Sequence, residues 1–362
     1  MKKNINRIFM ISDTHLGVRN SSVEWMDIIR EYFYDFLIPL LKKEAKPGDV
    51  LFHLGDLFDS RQSLNLLVMN EGMKIFEDIS KILPVHIILG NHDIYKKFSN
   101  DINSVKILNW IPNIFVVEEP MIIETQSKKL FLMPWRANHE EETECIKQHS
   151  ANYMFCHADV AGLKFNKKVS VEDGIDLDDM SKFDKVFSGH IHYAQKRKNF
   201  TMIGCPYPLT RSDMNNTKGV ICLDVNSGEE EFFENTMSPR FIRANFDKLL
   251  NMEEDDVKKM FNNNFVDVLV DHKWTLNFPF STFYDDVVGY RVLEFIPTVN
   301  DEDNEYLIGG DEEMGKIDIV ELSNKLIQNT SHNDNIKDKL LKVVKILHAK
   351  VNKLDGGDND DE

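Results

Sequence analysis

Five short runs rich in β-branched and aromatic residues are each followed within three positions by Asp, Asn or His. The runs are Ile8 to Ile11, Val50 to Leu54, Val85 to Leu89, Tyr153 to Cys156 and Lys185 to Phe187. Runs of this length and composition are typical of buried strands in an α/β sheet. Ligands of such sheets bind beyond the carboxyl ends of the strands. The sequence therefore predicts one site that is assembled from five distant segments.

The residues that follow these runs offer oxygen and nitrogen ligands without a thiolate. We predict seven metal ligands, namely Asp13, His15, Asp56, Asn91, His157, His190 and His192. This ligand set suits manganese, iron or zinc, and seven ligands are more than one tetrahedral ion takes. Two divalent ions that share a carboxylate, as in phosphoryl-transfer sites, account for all seven. Asp56 is the predicted bridge.

His92 directly follows the predicted ligand Asn91. We expect its ring to face the substrate, where it could protonate a leaving oxygen as a general acid. Asp93 is assigned to the catalytic group with it, as the residue that orients His92. His53 and His86 lie inside the strand runs instead, where a core histidine or a histidine that supports a ligand is expected.

Each motif taken alone is also explained by an ordinary turn with a capping Asn or Asp. Their common order, each motif after its own strand, favours a shared metal site. The motifs resemble those of the calcineurin-like metallophosphoesterases and, within them, the SbcD and meiotic-recombination type of DNA nuclease, most closely the phage members. The stretches that carry the resemblance are Ser12 to Gly17, Gly55 to Asp59, Gly189 to His192 and Ile203 to Leu209.

The resemblance implies a fold, a ligand arrangement and an activity. The fold is an α/β metallophosphoesterase, an αββα sandwich with a small α+β capping domain and C-terminal helices. The activity is that of a Mn²⁺-dependent DNA nuclease, acting on duplex ends and on single strands in recombination and repair. The first ion would be held by Asp13, His15, Asp56 and His192, and the second by Asp56, Asn91, His157 and His190. Archaeal and eukaryotic members carry His where this chain has Asp59, so Asp59 is not expected to copy that histidine's role.

The resemblance also implies partners: DNA, a second copy of the chain in a homodimer, and an SMC-like ATPase of the SbcC type. The length of 362 residues exceeds the ~250–300 at which a single core stops growing. We predict a phosphoesterase domain over 1–240, a capping domain over 241–300, an acidic linker over 301–316, partner-binding helices over 317–354 and an acidic tail over 355–362. The terminal helices are explained equally well by packing on their own domain.

The net charge of −17 opposes simple DNA binding, because phosphate backbones attract basic surfaces. Basic residues nevertheless follow several of the metal motifs, and acidic runs such as 301–313 are typical of solvated loops. The predicted DNA contacts are Arg19, Arg61, Lys96, Lys97, Lys196, Arg197 and Lys198. A basic, metal-charged mouth on an acidic body is consistent with DNA entry.

The sequence shows neither an apolar stretch near the ~18 residues of a membrane span nor a leader pattern. The four cysteines lack C-x-x-C spacing, which favours a reducing compartment. We therefore expect a cytoplasmic protein that does not bind membranes, in the host cytoplasm if a phage encodes it.

Three other interpretations stay open. A serine/threonine phosphoprotein phosphatase shares the core motifs, but Ser60 and Asp93 stand where that class typically has Arg and Glu. A small-molecule phosphodiesterase has the same Gly-His-x-His motif and needs no capping domain. A DNA-end-binding scaffold with a relic metal site belongs to a different class, and the complete set of seven ligands argues against it.

Overall fold

The computed structural model describes residues 2–96, 99–165, 169–271 and 292–298, together with Lys337 and Lys342. The chain divides into two units, Met1–Glu305 and Tyr306–Glu362. The elements and contacts described below all lie in the first unit. The predicted acidic linker, terminal helices and acidic tail fall outside the described residues, apart from those two lysines.

Six strands form the first sheet: β1 (Arg7–Ile11), β2 (Val50–His53), β3 (Val85–Ile88), β6 (Ile114–Val117), β13 (Gly219–Asp224) and β14 (Glu230–Glu234). Their order is β14-β13-β1-β2-β3-β6. Strands β1, β2, β3 and β6 run parallel, and β13 pairs antiparallel with β1. The carboxyl ends of β1, β2 and β3 therefore lie side by side at one edge.

Six further strands form the second sheet: β7 (Met121–Glu124), β8 (Lys129–Met133), β9 (Tyr153–His157), β10 (Lys185–Gly189), β11 (Gln195–Arg197) and β12 (Phe200–Met202). Their order is β11-β12-β10-β9-β8-β7, and β8, β9, β10 and β12 are parallel. All five strands predicted from the sequence are thereby confirmed, three in the first sheet and two in the second.

The two sheets pack face to face through apolar side chains that alternate along their strands. Phe52 of β2 meets Phe155 of β9 with ring centroids 4.9 Å apart, inside a buried cluster that draws on both sheets. Separate buried clusters cover the outer face of each sheet with helices. This arrangement confirms the predicted αββα sandwich.

A helical run covers the first sheet. It comprises α2 (Val23–Glu31), a π-helical stretch (Tyr32–Leu37) and α3 (Ile38–Glu44), after a short left-handed turn α1 (Val18–Ser21). Helix α4 (Leu66–Ser80) packs on the same sheet, and α5 (His139–Gln148) packs on the second. The Asn65 side chain accepts a hydrogen bond from the Leu67 amide and so caps α4.

A small third sheet follows, formed by β15 (Phe241–Asn245), β16 (Phe265–Asp271) and β17 (Val292–Thr298) in parallel. Helices α6 (Phe246–Leu249) and α7 (Glu254–Phe261) pack against it around their own buried cluster. Phe265 stacks on Trp25 of α2 with ring centroids 5.3 Å apart. These strands and helices lie within 241–300, the range predicted for the capping domain.

The remaining short elements lie between these strands. They are the hairpin of β4 (Ile94–Lys96) and β5 (Ser99–Asn103) and the 3₁₀ turns Val105–Trp110, Leu177–Met180 and Arg211–Asp213. Among the helices of the described residues, none combines the length and the apolar character that crossing a bilayer requires.

Candidate dinuclear metal centre

The loops that follow β1, β2, β3, β9 and β10 meet where the two sheets adjoin. The structure brings all seven predicted ligands together there, in two groups of side chains. The first group is Asp13, His15 and His192, and the second is Asp56, His157 and His190 with Asn91 beside them.

In the first group, the Nε2 atoms of His15 and His192 lie 3.0 Å apart. Asp13 follows the same strand as His15, and its carboxylate accepts a hydrogen bond from the His190 backbone amide at 3.0 Å. The Nδ1 atom of His15 lies 3.1 Å from the Asp59 carboxylate. A histidine that donates one nitrogen to a carboxylate presents the other nitrogen to a metal. His15 is therefore oriented as a ligand through Nε2.

The second group is oriented in the same way. Asn91 Oδ1 lies 3.0 Å from His157 Nε2 and 2.9 Å from His190 Nδ1. His157 Nδ1 donates to the Leu54 carbonyl at 2.7 Å. His190 Nε2 lies 2.6 Å from a carboxylate oxygen of Asp159. The outward nitrogen of each histidine has a partner, so the inward nitrogens are free to bind an ion.

Asp56 lies between the two groups. Its Oδ2 atom is 3.7 Å from His15 Nε2 on one side and 3.3 Å from His157 Nε2 on the other. Its Oδ1 atom accepts a hydrogen bond from the His92 backbone amide at 2.7 Å. This position fits the predicted bridging carboxylate.

The Asn91 amide tests whether the site suits cations. Its oxygen faces only atoms that accept hydrogen bonds, including Asp56 Oδ2 at 3.1 Å. Turning the amide over would instead let its nitrogen donate to these atoms and its oxygen accept from Arg61 at 2.6 Å. Lone pairs that converge in this way have to be bridged by protons or by a metal ion. The donor set of oxygens and imidazole nitrogens fits two divalent ions.

The backbone at this site is strained. Four of the predicted ligands have positive φ, at 53° for Asp13, 42° for His15, 54° for Asp56 and 98° for His190. Such conformations cost free energy for residues other than glycine and concentrate at functional sites. A Cβ atom on Gly90 would lie 2.2 Å from the Asp56 carboxylate. The loops therefore approach as closely as they do because a side chain is missing at that point.

Charge at the site follows from burial and from the central carboxylate. Burial lowers the pKa of His157, but the adjacent Asp56 carboxylate outweighs burial and raises that pKa to about 10 in the metal-free protein. Burial also opposes protonation of His15, and hydrogen bonding to Asp59 together with the Asp56 charge raises its pKa to about 9. Protons and metal ions compete for these nitrogens.

His92 lies at the rim of the first group, its ring centroid 4.9 Å from that of His15. Its Nδ1 donates to the Asp59 carbonyl at 2.7 Å, which fixes the ring and leaves Nε2 available for the predicted proton transfer. Burial lowers the pKa of His92, so a protonated ring would give up its proton readily. This geometry suits a general acid.

A sequence model of the calcineurin-like phosphoesterase family matches residues 6–194 of the chain. The chain belongs to the calcineurin-like phosphoesterases. The matched region contains every predicted ligand, and membership of this family implies hydrolysis of a phosphoester.

Two curated relatives extend the comparison. Exonuclease subunit 1 of Enterobacteria phage T4 is 29% identical over 234 residues, which are 63% of this chain and 68% of that protein. Putative phosphoesterase 244L of Invertebrate iridescent virus 6 is 26% identical over 201 residues, which are 52% of this chain and 66% of that protein. A solved structure described as a novel archaeal phosphodiesterase is 15% identical, covers 63% of this chain and 99% of its own, and has a TM-score of 0.32. The matches thus reach about two thirds of the length of the curated relatives.

Asp93 does not orient His92 in this phosphoesterase, which is the role that the sequence predicted for it. Its carboxylate accepts backbone hydrogen bonds from Asp56 at 2.9 Å, Leu57 at 3.0 Å, Phe58 at 3.3 Å and Gly90 at 2.8 Å. Orientation of His92 comes from the Asp59 carbonyl instead. Asp93 therefore joins the loops after β2 and β3 to each other and holds the backbone of Asp56, the predicted bridge.

Sequence reasoning missed two supporting carboxylates, Asp59 and Asp159. Asp59 binds His15 through its side chain and His92 through its carbonyl, and Asp159 binds His190. The signal in the sequence is an Asp two or three residues beyond a predicted ligand, because ligating histidines commonly donate to a carboxylate. His53 behaves as expected of a supporting histidine. Burial lowers its pKa to about 3, and its Nε2 lies 2.9 Å from the Thr14 hydroxyl.

The predicted DNA contacts are scattered. Arg61 reaches the site, since its Nη2 lies 2.6 Å from the Asn91 amide. Lys196 pairs with Glu230 at 3.0 Å and Lys198 with Asp178 at 2.7 Å. Of the others, Arg19 lies over the Trp25 ring, Lys96 and Arg197 are exposed, and Lys97 falls outside the described residues. Arg61 is thus the predicted contact that the structure brings to the metal ligands.

Proposed function

We propose that this chain is the nuclease subunit of a DNA-processing enzyme, a phosphodiesterase that uses two Mn²⁺ ions to cleave DNA at duplex ends and in single strands. The observation that carries the chemistry is Asp56 Oδ2, placed between two groups of inward-facing ligand atoms. Support for DNA as the substrate comes from kinship with a phage T4 protein named exonuclease subunit 1.

Different residues of the site have different roles in the proposed reaction. Two divalent ions in such a site supply Lewis acidity and an activated water for attack on phosphorus. The site is largely buried, and the two ions would be bound and their charge balanced there by Asp13, Asp56 and the ligating histidines. His92, fixed through Nδ1, donates a proton to the departing oxygen. Arg61 offers its guanidinium to a phosphate beside Asn91.

The charge of the whole chain bears on how DNA is held. A net charge of −17 repels a polyanion, and two of the three cations in the run 196–198 are already paired with acids. DNA affinity should therefore come from the metals, Arg61 and a partner. We propose an SMC-like ATPase of the SbcC type as that partner, which accords with the word "subunit" in the name of the T4 relative.

A homodimer is also part of the proposal. Leu66 is 71% exposed and Leu67 is 38% exposed at the start of α4. Two large aliphatic side chains in the first turn of a helix offer an apolar surface to a second copy. Kinship with a phage protein supports the host cytoplasm as the place of action.

One panel of substrates tests the proposed activity. Purified protein with Mn²⁺ is given linear duplex DNA, circular single-stranded DNA, a phosphopeptide and bis-p-nitrophenyl phosphate, with and without the ATPase partner. We expect both DNAs to be cleaved, with His92→Gln inactive on each. Hydrolysis of bis-p-nitrophenyl phosphate alone would identify a small-molecule phosphodiesterase, which the acidic net charge favours. DNA binding without any hydrolysis would identify a scaffold.

A further inference from the structure

A buried lysine supports the metal ligand His192 from behind. Lys218 Nζ donates to the His192 carbonyl oxygen at 2.6 Å, to Asp213 Oδ1 at 2.6 Å and to Asn216 Oδ1 at 3.0 Å. The Lys218 side chain is 2% exposed. All three ammonium donors therefore have partners, as a buried charge requires. One of these partners is the backbone of a metal ligand.

Asp213 extends this contact to a short helix. Its Oδ2 accepts from the Leu209 amide at 3.0 Å and from the Thr210 amide at 2.9 Å. It also completes a capping box with Thr210 around the 3₁₀ turn Arg211–Asp213. The same carboxylate thus pairs with Lys218 and holds the turn that carries Arg211.

Arg211 continues the connection into the third sheet. Its Nε lies 3.1 Å from both carboxylate oxygens of Asp267. Asp267 is buried on β16, the central strand of that sheet, and Arg243 of β15 approaches the same carboxylate at 3.5 Å. A series of contacts therefore runs from Asp267 of β16 through Arg211, the capped turn and the Asp213–Lys218 pair to the carbonyl of His192.

The ion pairs in this series are stable only in a narrow range of distances and orientations. Buried ion pairs repay their desolvation only when distances and hydrogen bonds are well satisfied. Networks of hydrogen bonds and ion pairs that connect two elements can carry energetic coupling between them. A displacement of Asp267 would move Arg211, and the capped turn would pass that movement to Lys218 and His192. The stacking of Phe265 on Trp25 holds β16 beside this path.

We propose that Lys218, Asp213 and Arg211 are positioning residues through which the β15–β17 sheet sets the placement of the metal ligand His192. This proposal rests on the proposed function only in taking His192 as a metal ligand. It holds whether the phosphodiester is DNA or a small molecule.

Arg211 and Arg243 both contact the Asp267 carboxylate. Substituting each of them in turn distinguishes an effect on the placement of His192 from a general loss of stability. Arg211→Gln cuts the series between Asp267 and the capped turn. Arg243→Gln removes a cation from the same Asp267 but leaves the series intact, so it is the matched control. Both arginines are about one quarter exposed, and thermal unfolding of each variant shows whether the fold is retained.

The full-length protein is titrated with Mn²⁺ by calorimetry and by electron paramagnetic resonance, which reports the coupling of two nearby ions. Turnover of bis-p-nitrophenyl phosphate, a substrate too small to need the third sheet, is measured in parallel. For Arg211→Gln we expect Mn²⁺ affinity at one of the two sites to fall by about 10-fold, the lower end for residues that orient metal ligands. Its kcat should fall with little change in KM, the pattern of an interaction made in the transition state.

Arg243→Gln should match the wild type in Mn²⁺ affinity, in the coupling signal and in kcat. Equal losses in the two variants, or wild-type Mn²⁺ binding in Arg211→Gln, would overturn the proposal. A wild-type protein that binds two Mn²⁺ and hydrolyses only the small substrate would refute the DNA nuclease function and leave this inference standing.

Discussion

The Nε2 atoms of His15 and His192 lie 3.0 Å apart, although 177 positions separate the two residues in the sequence. His15 follows β1 of the first sheet, and His192 follows β10 of the second. Two imidazole nitrogens at this distance need a shared proton or a shared cation, because two lone pairs repel. A metal ion bound between them would connect the two sheets at the edge where the site is formed.

Removal of the metal should therefore lower the stability of the whole sandwich. A ligand that binds only the folded chain stabilises it by about 2.7 kcal/mol at a free concentration of 100 times its Kd. We expect Mn²⁺ to raise Tm relative to protein treated with a chelator. The Asp56→Ala variant should lose both ions, because it lacks the bridge. A Mn²⁺-dependent rise in its Tm equal to that of the wild type, or two ions per chain by elemental analysis, would contradict the bridge.

His92→Gln should separate catalysis from metal binding. The ring of His92 contacts the Asp59 carbonyl and is not among the seven ligands, so both ions should stay bound. Loss of a positioned general acid lowers kcat by about 10²- to 10⁴-fold. Cleavage of linear duplex DNA, whose departing oxygen is an alkoxide that needs a proton, and metal content by elemental analysis are measured on the same samples.

His149→Gln provides the control for that experiment. His149 stacks on Phe131 with ring centroids 4.5 Å apart, and its Nδ1 bonds the Cys145 carbonyl at 2.7 Å. The His149→Gln variant should have the same kcat as the wild type. A His92→Gln variant with undiminished kcat would remove His92 from the mechanism.

Gly90→Ala should disrupt the site through a steric clash between the new Cβ atom and Asp56. The added Cβ would lie 2.2 Å from Asp56 Oδ1 and 2.3 Å from the Asp56 backbone nitrogen, and the nitrogen cannot move without shifting the loop. We expect a lower free energy of unfolding in urea and weaker Mn²⁺ binding together.

Gly162→Ala is the complementary control. Gly162 has a φ of +77°, but the nearest atom to its added Cβ is 3.7 Å away. That variant should lose about 1–2 kcal/mol from left-handed backbone strain and keep its affinity for Mn²⁺. Normal Mn²⁺ binding by Gly90→Ala would show that the loops after β2 and β3 can separate without harm.

The part of the site that the sequence predicts is the part encoded locally. Each ligand such as Asp13 or His157 directly follows or ends its own apolar strand, and parallel strands bring their carboxyl ends together. The role of Asp93 was not predictable in this way. It adjoins His92 in sequence, yet its carboxylate turns to backbone amides of the loop after β2, and that choice depends on how the two loops meet.

The sequence also does not show which basic residues form ion pairs, because the acids that pair with them come from distant strands. Lys196 and Glu230 are distant in sequence, and they meet because β11 and β14 are edge strands of two sheets that pack together. The sequence shows that a basic run follows the last metal motif, but it does not show which acids neutralise that run. Lys218 and Asp213 are only five positions apart, but the sequence does not show that this pair is buried against the backbone of His192.

A buried acid on α5 should make stability depend on pH. Glu142 bonds His139 Nδ1 at 3.1 Å and the Arg136 amide at 3.2 Å. Burial raises the pKa of Glu142 from 4.5 to about 7. Burial opposes protonation of His139, but Glu142 outweighs it and raises the pKa of His139 above 6.5. Both groups bind protons more tightly in the folded chain, so both contribute stability at low pH that is lost as pH rises.

The Glu142→Gln variant removes the ionisable carboxyl and, with it, the charge that raises the pKa of His139. Glutamine keeps the size and the hydrogen-bonding capacity of the acid but cannot ionise. The wild type should lose free energy of unfolding relative to the variant as pH rises from 4.5 through 7, by about 1.4 kcal/mol for each unit by which folding raises the pKa. Urea unfolding of both proteins at half-unit steps across that range gives the difference directly. A difference that stays constant with pH, or that favours the wild type as pH rises, would mean that Glu142 is already ionised in the folded protein.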